Sequence, residues 1–216
     1  MQRKFKTELV LFDLDGTLID TAPDFHSSIN IILRKYKYPK VDMQSLRPYV
    51  SEGSSELIKF AFKIDESHQQ FDQLKKEFLE EYKKNLTNLS KPFEGIDEVI
   101  NFLDSNLISY GVVTNKPNEY AEPLINSFHL FANNKVLICP DHVKISKPHP
   151  EGILLACKKL NAAAKNTIYI GDHSNDLEAG KAAGTTIVGC GYGYSLCKES
   201  TPVLVSSPKE IIKYIY

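Results

Sequence analysis

Asp13 and Asp15 stand two residues apart, directly after the apolar run Leu9-Val10-Leu11-Phe12 and just before Gly16 and Thr17. An apolar run of that length reads as a buried strand, so both carboxylates emerge at its carboxyl end. Such a pair can hold a divalent cation and keep one oxygen free to attack an electrophile. A turn rich in Asp and Gly is the plainer reading. Three more segments bear on the choice. Thr114-Asn115-Lys116 follows the strand-like Tyr110-Gly111-Val112-Val113; its hydroxyl and amide are neutral donors for an anion's oxygens, or capping residues of a helix. Lys147 sits in Ser146-Lys147-Pro148-His149-Pro150, where the prolines stiffen the backbone and delay helix entry. That framing suits a lysine held against an anion, although most lysines are simply exposed. Gly171-Asp172-His173-Ser174-Asn175-Asp176 ends the run Ile168-Tyr169-Ile170 and adds two acids, four apart, either of which could be a helix N-cap.

The four segments mean more together than singly. At one sheet edge they supply four carboxylates, a framed lysine and two neutral donors. Acids crowded in this way repel unless a cation neutralises them. An all-oxygen donor set completed by a substrate phosphate suits Mg²⁺ better than zinc. This is equipment for phosphoryl transfer, where catalysis is mainly positioning and charge stabilisation.

The elements that must position these residues are legible in the periodicity. Strands are predicted over residues 8–12, 109–113, 135–138, 167–170 and 185–188. Helical faces run through Ile96, Val99, Ile100 and Leu103, through Tyr120, Leu124, Ile125 and Phe128, and through Ile153, Ala156, Cys157 and Leu160. Strands alternating with helices predict a parallel sheet covered on both faces, which binds ligands beyond the carboxyl ends of its strands. Residues 21–89 break the alternation and read as helices over 25–36, 44–50, 56–62 and 68–84. The expected division is a core of residues 1–20 and 90–216 and an inserted helical cap of residues 21–89. Proline and glycine at its exit, in Ser90-Lys91-Pro92-Phe93-Glu94-Gly95, suit a hinge, and such a cap suits a lid over substrate.

The 216 residues are 42% hydrophobic, enough for one ordinary domain and a small insertion. A net charge of -1 points to neither nucleic acid nor a membrane surface, and Lys75-Lys76 and Lys83-Lys84 alternate with glutamates as on a solvated helix face. No apolar run approaches the roughly 20 residues of a membrane span. The basic start of the chain is followed by too short an apolar stretch for a signal peptide, so the expected compartment is the cytoplasm. Cys139, Cys157, Cys190 and Cys197 lack metal-site spacing and read as free thiols.

In this order the four segments resemble the four signature motifs of haloacid dehalogenase-superfamily phosphatases, over essentially the whole chain. Within that superfamily the chain looks most like the phosphoglycolate phosphatases, through Gly111-Val112-Val113-Thr114-Asn115-Lys116-Pro117, Lys147-Pro148-His149-Pro150 and Gly191-Tyr192-Gly193-Tyr194. The resemblance implies a three-layer, Rossmann-like α/β core with a parallel sheet and an all-helical cap. It implies that Asp13 is the nucleophile, forming an aspartyl-phosphate, and that Asp15 protonates the leaving alkoxide and then deprotonates water. Mg²⁺ would be held by Asp13, the Asp15 main-chain carbonyl and Asp172, with Asp176 behind them. Thr114, Asn115 and Lys147 would hold phosphoryl oxygens. Arg47, Ser51 and Gly53 fall in a stretch resembling the family's specificity loop, which usually has glycine where Ser51 stands; Arg47 is otherwise a solvated helix residue. The expected substrate is a small phosphorylated metabolite, 2-phosphoglycolate first, acted on by a monomer or homodimer. The alternatives are a sugar phosphate or nucleotide monophosphate, a phosphomutase, or a non-catalytic phosphate binder. His173 replaces the subfamily's usual serine and reads as surface filling, with a substrate contact as the alternative. The Gly189–Gly193 stretch, taken to follow the last core strand, lacks the spacing of a dinucleotide loop and reads as a turn at the rim of the site.

Overall fold

The computed structural model describes residues 6–197, 200–201 and 203–215; the basic start of the chain, residues 1–5, lies outside them. In chain order the elements are β1 (Leu9–Phe12), β2 (Ile19–Asp20), α1 (Ala22–Lys35), α2 (Met43–Leu46), α3 (Ser54–Phe62), α4 (Phe71–Asn85), β3 (Lys91–Pro92), α5 (Ile96–Ser105), β4 (Ser109–Val113), α6 (Asn118–Asn126), β5 (Leu137–Ile138), α7 (Glu151–Lys159), β6 (Thr167–Gly171), α8 (Ser174–Ala183), β7 (Thr186–Cys190) and β8 (Leu204–Val205). The chain divides into two units, one of residues up to Ile19 and from Pro92 onward, the other Asp20–Lys91. No described helix is long and apolar enough to cross a membrane.

The first unit is built on a six-stranded sheet ordered β5-β4-β1-β6-β7-β8, parallel throughout. Strand β1 is wholly buried, which is why it reads as an unbroken apolar run rather than an alternation. It pairs with β4 on one side and β6 on the other, Phe12 standing opposite both Val112 and Ile170. Strand order therefore reverses at β1. That switch point, at the carboxyl edge, is where an open parallel sheet leaves a crevice. One face of the core joins Leu9, Leu11, Val113, Ile138 and Tyr169 to Ile153, Ala156 and Cys157 of α7 and Ala179 and Ala183 of α8.

Strand β4 has the bounds expected of it, and β7 runs two residues further than the periodicity suggested. Gly189 and Cys190 thus belong to β7, and the two-residue β8 pairs beyond it, so the glycine-rich stretch does not follow the last core strand. The equally short β5, Leu137–Ile138, falls inside the strand expected over 135–138, whereas no strand was expected where β8 stands.

The second unit is helical. Helix α1 starts at Ala22, with a proline in its first turn, where the missing N–H costs nothing. The helix expected over 44–50 is instead α2 followed by a 3₁₀ turn, Arg47–Tyr49, carrying Pro48. Phe25 of α1 stacks on Tyr82 of α4 with ring centroids 3.9 Å apart. The buried Asp24 carboxylate accepts the Leu89 and Ser90 amides, both at 2.9 Å, and the Ser90 hydroxyl. It thereby ties the exit of this unit to α1.

Candidate active site

Lys147 is the hub of the core site. Its Nζ donates to Asp13 Oδ1 at 2.7 Å and Asp176 Oδ1 at 2.6 Å, and lies 3.0 Å from the Tyr169 hydroxyl and 3.1 Å from the Val113 carbonyl. Only 8% of the residue is exposed. A lysine is buried to this degree only when paired. Burial by itself would lower its pKa, but the charges of Asp13 and Asp176 reverse that and hold it well above the ordinary value. The Tyr169 hydroxyl contacts the Val113 carbonyl at 2.9 Å and Asp176 at 3.1 Å. Burial keeps this phenol well above its ordinary range, so it is a neutral donor.

Asp13 extends β1 by one residue; its N–H donates to the Ile170 carbonyl at 2.8 Å. Burial pushes its carboxyl up to about 6, Lys147 opposing and Asp176 adding to the rise. Asp172 is fully buried and accepts from Thr17 Oγ1 at 3.2 Å and the Tyr194 amide at 2.9 Å. Burial raises its carboxyl well above the usual value, helped by the charges of Asp13 and Asp176. Gly16, at φ +77°, lies against this carboxylate, and a Cβ there would fall on the Asp172 oxygens, so only glycine fits. The tyrosine of the glycine-rich stretch, Tyr192, donates its hydroxyl to the Thr17 carbonyl at 2.9 Å.

Asp13, Asp172 and Asp176 each offer one carboxylate oxygen, and the three lie within 4.8 Å of one another. Three buried carboxylates around one point, two of them with raised pKa, outnumber the single Lys147 ammonium that pairs with Asp13 and Asp176, and a further cation would offset the excess. The donor set is all oxygen, so it fits a hard divalent cation. Asp176, expected behind the ligands, contributes one carboxylate oxygen to this group.

Asp15 lies outside that group. Its carboxylate receives Lys116 Nζ at 3.1 and 3.4 Å on its two oxygens. Thr114, buried at the end of β4, accepts the Lys116 amide on its hydroxyl at 3.2 Å. The Asn115 carboxamide engages the Lys147 backbone twice, donating to its carbonyl at 3.0 Å and accepting its N–H at 3.1 Å. Asn115 therefore sets the position of the Lys147 main chain. His173 is not surface filling: it is 8% exposed and is the N-cap of α8. Its Nδ1 accepts the Asn175 amide at 3.1 Å, while Asp176 accepts the His173 amide at 3.0 Å. Neither aspartate is the cap; a ring nitrogen does what the subfamily's serine hydroxyl would do. In the helical unit Arg47 pairs with Asp20 at 3.1 Å, Ser51 is half-buried, and Gly53 adopts φ +95° just before α3. Asp13, Asp15, Thr114, Asn115, Lys147, Asp172 and Asp176 all belong to the core unit; Arg47, Ser51 and Gly53 do not.

The haloacid dehalogenase-like hydrolase family matches residues 10–190. The chain belongs to this family. It is 41% identical to the N-acetylmuramic acid 6-phosphate phosphatase of Pseudomonas putida over 95% of each chain. It is 34% identical to a phosphoglycolate phosphatase of Xanthomonas campestris over 94% of this chain and 93% of that one. Among solved structures, a predicted phosphoglycolate phosphatase from Haemophilus somnus superposes with a TM-score of 0.87 at 27% identity, covering 97% of this chain and 98% of the other. The chain is accordingly a phosphoric monoester hydrolase of the haloacid dehalogenase-like family.

Two residues of this hydrolase's site escaped the sequence reading. Tyr169 carried a signal, since a tyrosine inside a buried strand needs a partner for its hydroxyl. Lys116 was visible only as the last letter of Thr-Asn-Lys. Its pairing with Asp15 joins residues 101 positions apart, and no local pattern encodes that.

Proposed function

We propose that the protein hydrolyses an acidic sugar phosphate of the N-acetylmuramic acid 6-phosphate type through an aspartyl-phosphate on Asp13. The observation that carries the mechanism is a division of the acids. Asp13, Asp172 and Asp176 lie together, two of them on Lys147, whereas the Asp15 carboxylate meets Lys116. Asp13 attacks phosphorus, and Asp15 gives its proton to the departing alcohol oxygen. Water then attacks the aspartyl-phosphate and gives its proton to Asp15, which restores Asp13 and Asp15 to their starting forms. Lys147 and Thr114 hold phosphoryl oxygens, and Asn115 keeps Lys147 in place. Asp13, Asp172, Asp176 and the Asp15 carbonyl are the groups that would hold Mg²⁺. The ion supplies charge neutralisation to the transferring phosphoryl group when bound.

The substrate reading is supported by 41% identity to the Pseudomonas enzyme, against 34% to the Xanthomonas phosphoglycolate phosphatase. 2-Phosphoglycolate is the second reading, because the solved structure from Haemophilus somnus is described as a predicted phosphoglycolate phosphatase. Both compounds carry a carboxylate besides the phosphate. The test is phosphate release from N-acetylmuramic acid 6-phosphate, 2-phosphoglycolate, glucose 6-phosphate and a nucleoside monophosphate, with and without Mg²⁺. Asp13→Asn is the blank and should lose about 10³-fold or more in kcat while keeping its fold. The highest kcat/KM is expected for N-acetylmuramic acid 6-phosphate. A preference for 2-phosphoglycolate moves the substrate, and a neutral sugar phosphate turned over equally well removes the role of the carboxylate. Turnover by Asp13→Asn would sink the nucleophile assignment.

A further inference from the structure

Lys116 is a second buried ammonium in the core site, and neither metal holding nor phosphoryl binding accounts for it. Its side chain is 4% exposed, against 14% for its partner Asp15. An ammonium taken out of water is strongly disfavoured unless a counter-charge meets it, and Asp15 supplies one, with Nζ reaching both oxygens. Both ends of the contact are fixed by backbone. Lys116 leaves β4 through a tight turn in which its own N–H bonds the Thr114 hydroxyl. Asp15 lies on the turn after β1, where Gly16 N–H donates to the Ile19 carbonyl at 3.0 Å and Asp15 bridges to Ile19. The two lysines thus divide three of the four acids between them. Lys147 takes Asp13 and Asp176, and Lys116 takes Asp15, whose carboxylate stands apart from the grouped carboxylates of Asp13, Asp172 and Asp176.

We propose that Lys116 is the positioning residue for Asp15: it aims this carboxyl at the leaving-group oxygen, away from the Asp13 cluster, and offsets the charge that Asp15 carries once its proton has gone. The inference rests on the reading of Asp15 as the proton donor. In the first half-reaction the proton leaves Asp15 for the ester oxygen as that oxygen's bond to phosphorus breaks, and the Asp15 carboxylate so formed faces the Lys116 ammonium. In the second, the same carboxylate takes a proton from the attacking water. Lys116 itself neither gains nor loses a proton.

Leaving-group dependence separates this role from a structural one. An alkyl phosphate needs a proton on its departing oxygen, whereas p-nitrophenolate departs without one. Activity is read as kcat/KM, which reports steps up to release of the alcohol, in Mg²⁺-supplemented protein. Lys116→Met is expected to lose about 10²-fold on an alkyl phosphate, the lower range for a positioned proton donor, and no more than a few-fold on p-nitrophenyl phosphate. Lys116→Arg is expected to recover most of the alkyl-ester activity. The Mg²⁺-induced rise in Tm should match that of the unmodified protein, because the carboxylate that Lys116 meets is that of Asp15, not one of the grouped carboxylates of Asp13, Asp172 and Asp176. If Lys116→Met does not fold, Lys116→Gln carries the same comparison. Equal losses on both esters, or no loss on either, overturn the inference. Asp15→Asn is run alongside. If it discriminates between the esters and Lys116→Met does not, only the role of Lys116 falls; if Asp15→Asn fails to discriminate, the donor role of Asp15 falls and the inference with it.

Discussion

Lys147 concentrates the electrostatics of the site in one side chain. Its ammonium offers three protons to four acceptors drawn from β1, β4, β6 and α8, and the shared hydroxyl of Tyr169 passes the remaining demand on to Val113 and Asp176. Removing one partner of a buried ion pair is far more damaging than replacing the whole pair, because the charge left behind stays desolvated. Lys147→Met leaves Asp13 and Asp176 without their ammonium and is expected to cost about 3–5 kcal/mol in metal-free protein, read from urea unfolding. Added Mg²⁺ should return part of the loss; a cost below about 1 kcal/mol would show that the pair matters little to the fold. The prolines around Lys147 marked it in the sequence as a lysine held in place. Its burial was not marked there, because the residues that enclose it lie 22 to 134 positions away.

Helix α8 shows how an element can be located without its detail being read. The strand-to-helix turn at Gly171–Asp176 was legible, and two aspartates offered themselves as caps. The cap is His173, with Asp176 closing the reciprocal bond as the third helical residue. This frees Asp172 for Thr17 and Tyr194 and points the first turn of α8 at Lys147. His173→Ala should cost about 1 kcal/mol, the usual value of an N-cap, with Tm as the readout. His173→Ser should stay within about 0.5 kcal/mol of the original protein, since a hydroxyl accepts the same amide. If serine proves as costly as alanine, the ring contributes packing rather than capping. Among the strands, β4 could be bounded from its apolar run, whereas β8 has two residues and takes its identity from pairing with β7.

Across the whole molecule, the acid cluster makes metal-free stability depend on pH in a stated direction. Burial raises Asp13 from 3.8 to about 6 and lifts Asp172 well above 3.8. Both groups bind protons more tightly in the folded chain than in the unfolded one. Stability therefore falls as pH rises from about 3.8 through 6, and further as Asp172 ionises. Lys147 works in the other range: its raised value stabilises the fold below its ordinary 10.5 and the benefit fades as pH climbs through the folded value. A divalent cation binds the ionised acids, so Mg²⁺ should raise Tm more at pH 8 than at pH 5. At about 100 times its Kd it should add about 2.7 kcal/mol at the higher pH. Calorimetry at the two pH values checks this, and an equal shift at both would place the ion elsewhere. The sequence by itself determined the kind of sheet, the placement of Asp13, Thr114 and Asp172 directly beyond strands and the helical character of the intervening segment, since periodicity and turn residues are local. Only the tertiary structure decided which acid each lysine serves, that Asn115 grips the Lys147 backbone and that His173 is a cap. These follow from the reversal of strand order at β1, which brings β4 and β6 to either side of Asp13 and so sets charges side by side that the chain keeps a hundred or more residues apart.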